Sequence, residues 1–206
     1  MIEGRLLQAA LNLLEGADIQ FSRESRLDIA LVKNLPIALV FLPAADIPTF
    51  VGEGRVSLGI TGRDQVQEHD AGVQAAKRQR EESGKSTPTT AATTTTVATN
   101  ENKVEMGCEE VMDLAFGICK LQVQVPVKGK YVTPSDLIGK NIGTSFVHLA
   151  TDYFAALEAL TDISNETGKS KNTKLRTKII ELSGSVEAAC ALGVADGIVD
   201  LVGKHA

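Results

Sequence analysis

Residues 178–202, KIIELSGSVEAACALGVADGIVDLV, decide the fold class of this chain. Residues 178–182 are predicted to form a strand, and Ser183-Gly184-Ser185 opens a helix that we predict over 186–192. A second strand is predicted over 196–202. A strand, a helix and another strand in this order favour parallel pairing, so we expect an α/β protein with largely parallel sheets.

The same alternation extends towards the N-terminus. Helices are predicted over 6–14, from a cap at Asp46 to about Gly52, after the cap Thr133-Pro134-Ser135-Asp136, and over 148–160; strands are predicted over 29–32, 37–42, 56–61, 121–127 and 141–144. One stretch departs from this pattern. Residues 77–103 combine a charged run with a Thr-rich tract and show no apolar periodicity, so we expect a disordered insertion there.

Composition excludes several classes of protein. The 206 residues are 43% hydrophobic and carry a net charge of −5, which supports a buried core and argues against a general nucleic-acid binder. The sequence shows no apolar run of membrane-spanning length and no signal pattern. Its cysteines are too widely spaced for a zinc motif or a disulfide framework and predict reduced thiols in a cytoplasmic protein. They are Cys108, Cys119 and Cys190.

Three blocks place small and polar residues where a strand ends or a helix begins: residues 59–64, 143–145 and 183–187. Backbone N–H groups and the helix dipole make such positions good sites for anions. For any one block alone, simple helix capping is the better interpretation. The three together favour a ligand that bears phosphate.

Charged residues add to this hypothesis without settling it. Asp196 and Asp200 are four residues apart in an apolar strand and so share a face, where cations, a metal or ligand hydroxyls would satisfy them. The alternative is that both lie in solvent at strand ends. Arginines near glycines or strand ends could clamp phosphates or simply be surface residues. They are Arg5, Arg23, Arg26 and Arg63. The residues alone therefore predict a phosphate-binding cleft and no particular reaction.

The run Glu187–Leu201 resembles the signature segment of the ATP phosphoribosyltransferase family, in wording closest to fungal members. Four further blocks are similar to family blocks in the same order: residues 42–48, 58–64, 117–121 and 143–146. The resemblance implies a two-lobed catalytic core like the type II periplasmic binding proteins. The first lobe would be residues 1–112, the second residues 113–206, and the active site would lie in the cleft between them.

The resemblance also implies the reaction. N1 of the adenine of ATP would displace pyrophosphate from C1 of phosphoribosyl pyrophosphate, in the first step of histidine biosynthesis, with Mg²⁺ bound to the pyrophosphate rather than directly by protein. Glu187, Asp196 and Asp200 would be catalytic, on the ribose and pyrophosphate side. The substrate-binding residues would be Arg5, Arg26 and Asp64 for the nucleotide, and Thr144 and Ser145 for phosphate. Family membership further implies a homo-oligomer.

Both ends depart from the family pattern. Glu3 replaces a basic residue, and after Leu201 the chain reads Val202-Gly203-Lys204-His205-Ala206 where the family has a Ser/Thr-Gly-x-Thr phosphate turn. We therefore expect a chain truncated at both ends. Two alternatives remain open: a non-catalytic small-anion binding or regulatory protein, and an inactive fragment of the enzyme. The carboxylates of Glu187, Asp196 and Asp200 weigh against a pure anion binder, because they would repel the anion unless Mg²⁺ intervened.

Overall fold

The computed structural model describes residues 6–23, 28–82, 107–164 and 175–203. The chain divides into two compact units, Met1–Gly117 and Ile118–Ala206. The assignment of residues 1–112 and 113–206 to two lobes of one catalytic core stays a prediction. None of the helices in the described ranges combines the length and the apolar character that crossing a bilayer requires.

The described residues of the first unit form three helices and a two-stranded hairpin. Its elements are α1 (Leu7–Gly16), β1 (Ile29–Leu31), β2 (Ala38–Val40), α2 (Asp46–Gly52) and α3 (Arg63–Glu82). Strands β1 and β2 pair antiparallel, with Ile29 opposite Val40. The expectation of largely parallel sheets is wrong here because residues 32–37 are too few for the crossover that parallel strands need.

Two local predictions in this unit are also wrong. Asp46 is the first residue of α2 and Ala45 takes the cap position, without a side-chain hydrogen bond. Residues 56–61 form no strand in the described structure. Leu58 is 66% exposed, which does not suit a buried strand. The backbone of this segment instead lies so close to α2 that a Cβ on Gly59 would collide with the Ile47 side chain.

Helix α3 corrects the expected start of the disordered insertion. It runs from Arg63 to Glu82, so residues 77–82 are helical, while residues 83–103 lie outside the described residues. The helix is polar over most of its length and has few apolar positions to reveal a period. Its Gln, Glu, Arg and Ala residues are nevertheless strong helix formers, which explains how a segment without a clear apolar stripe is helical.

The second unit is a four-stranded mixed sheet with helices on both faces. Its elements are β3 (Cys119–Gln124), a 3-10 helix (Pro134–Leu137), β4 (Asn141–Thr144), α4 (Val147–Ser164), β5 (Lys178–Glu181), α5 (Ala188–Ala191) and β6 (Gly197–Gly203). The strand order is β3-β6-β4-β5. Strands β6, β4 and β5 are parallel, as predicted, and β3 is antiparallel to β6.

The predicted cap at Thr133 is confirmed. The Asp136 carboxylate accepts hydrogen bonds from the backbone N–H groups of Thr133 (2.8 Å) and Val132 (3.0 Å). These bonds, with that of Thr133 the larger influence, lower the pKa of Asp136 below its ordinary value. The cap begins a single 3-10 turn rather than an α-helix.

Two apolar clusters cover opposite faces of the sheet. Consecutive residues of β6 point to opposite faces. Val199 packs in the cluster beneath α4, with Ile142 and the fully buried Phe154. Ile198 packs in the cluster beneath α5, with Val186 and Ala189. A helix on each face is the expected result when the chain crosses from β4 to β5 and then back over β4 to β6 with right-handed connections.

Gly143 allows α5 and its flanks to lie close to β4. A Cβ at this buried position would lie 2.9 Å from Leu182 Cδ1 and 3.4 Å from the Cβ atoms of Ala189 and Ala195. We expect Gly143→Ala to lower the free energy of unfolding by about 1–3 kcal/mol through overpacking. Urea denaturation measures the change. Gly184→Ala is the control, since a Cβ there meets nothing within 4 Å, and equal effects of both substitutions would contradict this account.

Candidate active site

The carboxyl ends of β4 and β5 lie beside residues 199–200 of β6, at one edge of the second unit's sheet that we call the carboxyl edge. Thr144, the last residue of β4, is opposite Glu181 of β5 and Val199 of β6. The residues that follow these strands therefore leave the sheet side by side. Ser145 follows β4, and Asp200 follows Val199 within β6. Ligands bind at such edges in open α/β sheets.

The side chain of Thr144 is hydrogen-bonded within the protein. It is fully buried; Oγ1 donates a 2.7 Å hydrogen bond to the Val199 carbonyl and accepts one of 2.9 Å from the Phe146 N–H. These bonds fasten β4 to β6 and fix the chain as it turns into α4. Contact between this residue and substrate stays a prediction. The hydroxyl that the edge exposes belongs to the next residue, Ser145.

Ser145 lies directly before a long helix. Helix α4 has 18 residues, and its first turn is closed by the Ala150 N–H, which donates to the Phe146 carbonyl at 2.9 Å. The positive end of the helix dipole therefore faces the carboxyl edge. An exposed hydroxyl beside this helix end gives the edge a hydrogen-bond donor in a place that favours an anion.

The segment after β5 reaches the same edge. Ser185 holds a positive φ of 49°, and the turn closes when the Ala188 N–H donates to the Ser185 carbonyl at 3.0 Å. Glu187 occupies the cap position of α5 and is exposed. The predicted helix over 186–192 is only four residues long here, Ala188–Ala191, because the turn at Ser185 delays its start to residue 188. Gly193 follows its end in a left-handed conformation at φ 69°.

Asp200 is half-buried in the middle of β6, one residue beyond the point at which β4 ends. Its Oδ1 accepts a 2.7 Å hydrogen bond from the N–H of Leu201. The residue lies opposite Gln122 of β3, on the side of β6 away from β4. Ser145, Glu187 and Asp200 thus belong to three neighbouring chain segments on one side of the sheet.

Asp196 lies immediately before the first residue of β6. Its Oδ1 accepts a 2.7 Å hydrogen bond from the Tyr131 hydroxyl, and its Oδ2 accepts one of 3.1 Å from the Asn141 N–H. The Tyr131 bond, then the Asn141 bond, hold the pKa of Asp196 below its ordinary value. Asp196 precedes β6 beside the first residue of β4, so four residues of extended chain, about 13 Å, separate it from Asp200. A shared catalytic role for Asp196 and Asp200 stays a prediction.

The remaining predicted residues belong to the first unit. Asp64 lies in the first turn of α3, so close to Gly62 that a Cβ on that glycine would strike its carboxylate. Thr61 donates a 2.9 Å hydrogen bond from its hydroxyl to the Ala44 carbonyl, which joins two of the blocks singled out in the sequence. Arg5 and Arg26 lie outside the described residues.

Tyr131 and Glu158 are two residues that sequence reasoning missed. Tyr131 fixes Asp196, and the hydrogen bond to that carboxylate raises the pKa of the phenol. Glu158 is 7% exposed and holds the start of β5 through hydrogen bonds to Arg176 and Thr177. No motif marks either residue. The one available signal was a glutamate at 158 among the apolar residues of a predicted helix.

Comparison with known proteins covers the same part of the chain. The family model described as HisG, ATP phosphoribosyltransferase, matches residues 43–204, which include the whole carboxyl edge. The chain belongs to the ATP phosphoribosyltransferase family. An ATP phosphoribosyltransferase of Yarrowia lipolytica is 51% identical over 97% of this chain and 52% of its own length. That of Saccharomyces cerevisiae is 49% identical, with the same coverage of both chains.

The chain spans about half the length of these curated relatives. Among solved structures it is similar to a chain of the ATP phosphoribosyl transferase (HisG:HisZ) complex from Thermotoga maritima. The TM-score is 0.60 at 20% identity, over 98% of this chain and 71% of the other. That likeness shows a shared α/β fold. Membership in the ATP phosphoribosyltransferase family confirms the resemblance that the run Glu187–Leu201 and the upstream blocks carry.

Proposed function

We propose that this chain acts as an ATP phosphoribosyltransferase and performs the first step of histidine biosynthesis. N1 of the adenine of ATP attacks C1 of phosphoribosyl pyrophosphate, the C1–O bond to pyrophosphate breaks, and phosphoribosyl-ATP and pyrophosphate leave. What supports the proposal is the register of β4, β5 and β6, which brings the chain segments that carry Ser145, Glu187 and Asp200 to the same side of the sheet. Two of these residues lie in the segment that most resembles the family signature.

The carboxyl edge suits the phosphoribosyl half of this reaction. Positive charge develops on the ribose ring at C1 as the bond to pyrophosphate breaks, and nearby carboxylates stabilise it. Asp200 and Glu187 can also accept hydrogen bonds from the ribose hydroxyls, while Ser145 and the first turn of α4 donate to phosphate. Mg²⁺ enters with phosphoribosyl pyrophosphate as part of the substrate. The oxygen ligands that Mg²⁺ prefers match the carboxylates at this edge.

Other residues have supporting or separate roles in this proposal. Asp196 and Thr144 act as positioning residues, since their side chains are hydrogen-bonded to Tyr131 and Asn141, and to Val199 and Phe146, respectively. Asp64, with Arg5 and Arg26, binds ATP. We also propose that the two units are the lobes of a type II periplasmic-binding-protein-like core, and that the protein is a cytoplasmic homo-oligomer.

We expect Asp200→Asn and Glu187→Gln each to lower kcat/KM for phosphoribosyl pyrophosphate by roughly 10- to 100-fold. Each change removes a charged hydrogen-bond acceptor, worth about 1.5–3 kcal/mol when its partner is a substrate hydroxyl. The assay follows formation of phosphoribosyl-ATP from ATP, phosphoribosyl pyrophosphate and Mg²⁺. Asp152→Asn, on the exposed surface of α4, is the matched control and should retain full activity.

The same assay distinguishes the alternatives. If the protein binds phosphoribosyl pyrophosphate but makes no phosphoribosyl-ATP, the non-catalytic binding function replaces the proposal. Unchanged kcat/KM in both the Asp200 and the Glu187 variants would show that catalysis does not depend on the carboxyl edge.

A further inference from the structure

A second cluster of side chains in the first unit has the composition of a metal site. Helix α3 carries His69 and Asp70, and Cys108 lies against the helix. One potential ligand atom from each of the three residues lies within 4.8 Å of the other two. All three residues are partly buried. The cluster belongs to neither the carboxyl edge nor the family blocks quoted above.

Hydrogen bonds hold the members of the cluster in place, and one ring nitrogen of His69 takes no part in them among the described residues. The Asp70 Oδ1 accepts a 3.1 Å hydrogen bond from the Cys108 N–H, and the Cys108 thiol donates to the Pro48 carbonyl at 3.2 Å. His69 Nδ1 is 3.5 Å from the Thr49 hydroxyl. His69 Nε2 is shielded from solvent and has no hydrogen-bond partner among the described residues.

A buried ring nitrogen without a partner is unfavourable and calls for an explanation. A bound cation supplies one, because a neutral imidazole offers the lone pair of one nitrogen to a metal. We propose that His69 Nε2, Asp70 and the thiolate of Cys108 bind one divalent cation of the zinc type.

The ligand set selects the metal. A thiolate and an imidazole suit Zn²⁺, which takes sulfur, nitrogen and oxygen ligands together, whereas Mg²⁺ prefers oxygen alone. Tetrahedral Zn²⁺ places its ligand atoms roughly 3.5 Å apart, so the present spacing of up to 4.8 Å closes by about 1 Å through side-chain rotation. Three protein ligands leave the fourth position for water.

Binding has a definite proton balance. The S–H bond of Cys108 breaks, its proton goes to solvent, and a sulfur–metal bond forms in place of the hydrogen bond to Pro48. Burial first, and then the neighbouring Asp70 carboxylate, raise the pKa of the Cys108 thiol. A cysteine thiol that binds no metal is mostly protonated at neutral pH, so about one proton is released for each metal ion bound. The bound ion would tie Cys108 to α3, 38 residues earlier in the chain.

Titration of the metal-free full chain with Co²⁺, and then with Zn²⁺, tests the proposal. Co²⁺ bound to a thiolate gives a sulfur-to-metal charge-transfer band in the near ultraviolet. We expect this band at one equivalent, with displacement of Co²⁺ by Zn²⁺. Cys108→Ser should abolish the band, and His69→Gln should weaken metal binding by at least the roughly 10- to 100-fold that even outer-shell changes cause.

Cys190→Ser is the matched control, because Cys190 is also a partly buried thiol whose pKa burial raises, but it lies in the second unit. It should leave the band and the affinity unchanged. Absence of the band in the wild-type chain, its survival in Cys108→Ser, or its loss in Cys190→Ser would each overturn the proposal. Circular dichroism checks that each variant is folded. If Cys108→Ser does not fold, the metal affinity of His69→Gln tests the proposal instead.

Discussion

Replacement of Phe154 by alanine should lower the free energy of unfolding of the second unit by about 3–5 kcal/mol. Phe154 is fully buried at the centre of the cluster beneath α4, where it packs with Leu137, Ile142 and Val199. The substitution removes the ring and leaves a cavity, because the strands around it are fixed by the sheet and cannot close the space. Urea denaturation followed by circular dichroism measures the loss.

Leu160→Ala is the matched control for this result. Leu160 lies on the same helix but is 65% exposed. Its truncation removes little buried surface, so its effect should stay within about 0.5 kcal/mol. If Phe154→Ala costs no more than Leu160→Ala, the packing of α4 on the sheet described above is wrong.

Replacement of Glu158 by alanine should lower the free energy of unfolding by about 3 kcal/mol. The carboxylate accepts hydrogen bonds from the backbone and side chain of Thr177, at 2.8 and 2.7 Å, and from the backbone of Arg176 at 3.0 Å. Loss of the carboxylate leaves these donors without a partner. This expected loss is at the low end of the roughly 3–5 kcal/mol that breaking a buried ion pair costs, because the Arg176 side chain is 49% exposed.

Glu158 should also make the stability depend on acid pH. Burial by itself raises the pKa of this carboxyl, but the hydrogen bonds from Thr177 and Arg176 together outweigh it, so the pKa in the folded chain is below its ordinary value. The folded state then binds the proton less tightly than the unfolded state does. The contribution is complete above the ordinary glutamate pKa of about 4.3 and is lost as the pH falls through the lower folded value.

Unfolding curves at pH 7 and between pH 5 and pH 3 measure this dependence. Glu158→Gln should lose less stability on acidification than the wild-type chain. Part of the dependence of the unfolding free energy on pH remains in this variant, because the pKa values of Asp136 and Asp196 are also lowered. Glu181→Gln, an exposed position on β5, is the control and should retain the wild-type slope. Equal slopes in the wild-type chain and the Glu158 variant would contradict the assigned role.

The second unit was predictable from sequence because local and tertiary signals agree there. The segments 141–144 and 178–182 are short and contain β-branched residues, and turn or charged residues lie beside them. Both are strands, the second ending at Glu181. The predicted helix over 148–160 is present as α4, which extends to Ser164. Parallel pairing followed from the helices that separate these strands.

The first unit was harder because tertiary contacts override its local patterns. Residues 56–61 have the composition of a strand, yet their backbone packs against α2 through Gly59 instead of pairing. Helix α3 lacks a clear apolar stripe, so periodicity could not reveal it. The antiparallel direction of the β1–β2 pair follows from the short connection between the two strands. That length can be read from the sequence, but a prediction from apolar patterning alone does not use it.

The sequence predicted which segments form the candidate site, but not which of their side chains are available to a ligand. The motifs identified the segments around Thr144, Glu187 and Asp196, yet the sequence does not show which side chains the fold itself uses. Thr144 and Asp196 are hydrogen-bonded within the sheet, and exposed Ser145 and half-buried Asp200 remain at the carboxyl edge. The pairing register, which decides this, depends on contacts between residues some 55 positions apart.

Calorimetric titration of the full chain with phosphoribosyl pyrophosphate and Mg²⁺ tests most directly whether the carboxyl edge is the phosphoribosyl site. We predict that the wild-type chain and the exposed-surface variant Asp152→Asn bind with equal affinity. Asp200→Asn should bind roughly 10- to 100-fold more weakly, because it loses a charged acceptor for a ribose hydroxyl. Wild-type affinity in Asp200→Asn, or no binding by a folded wild-type chain, would contradict the assignment of the carboxyl edge as the phosphoribosyl site.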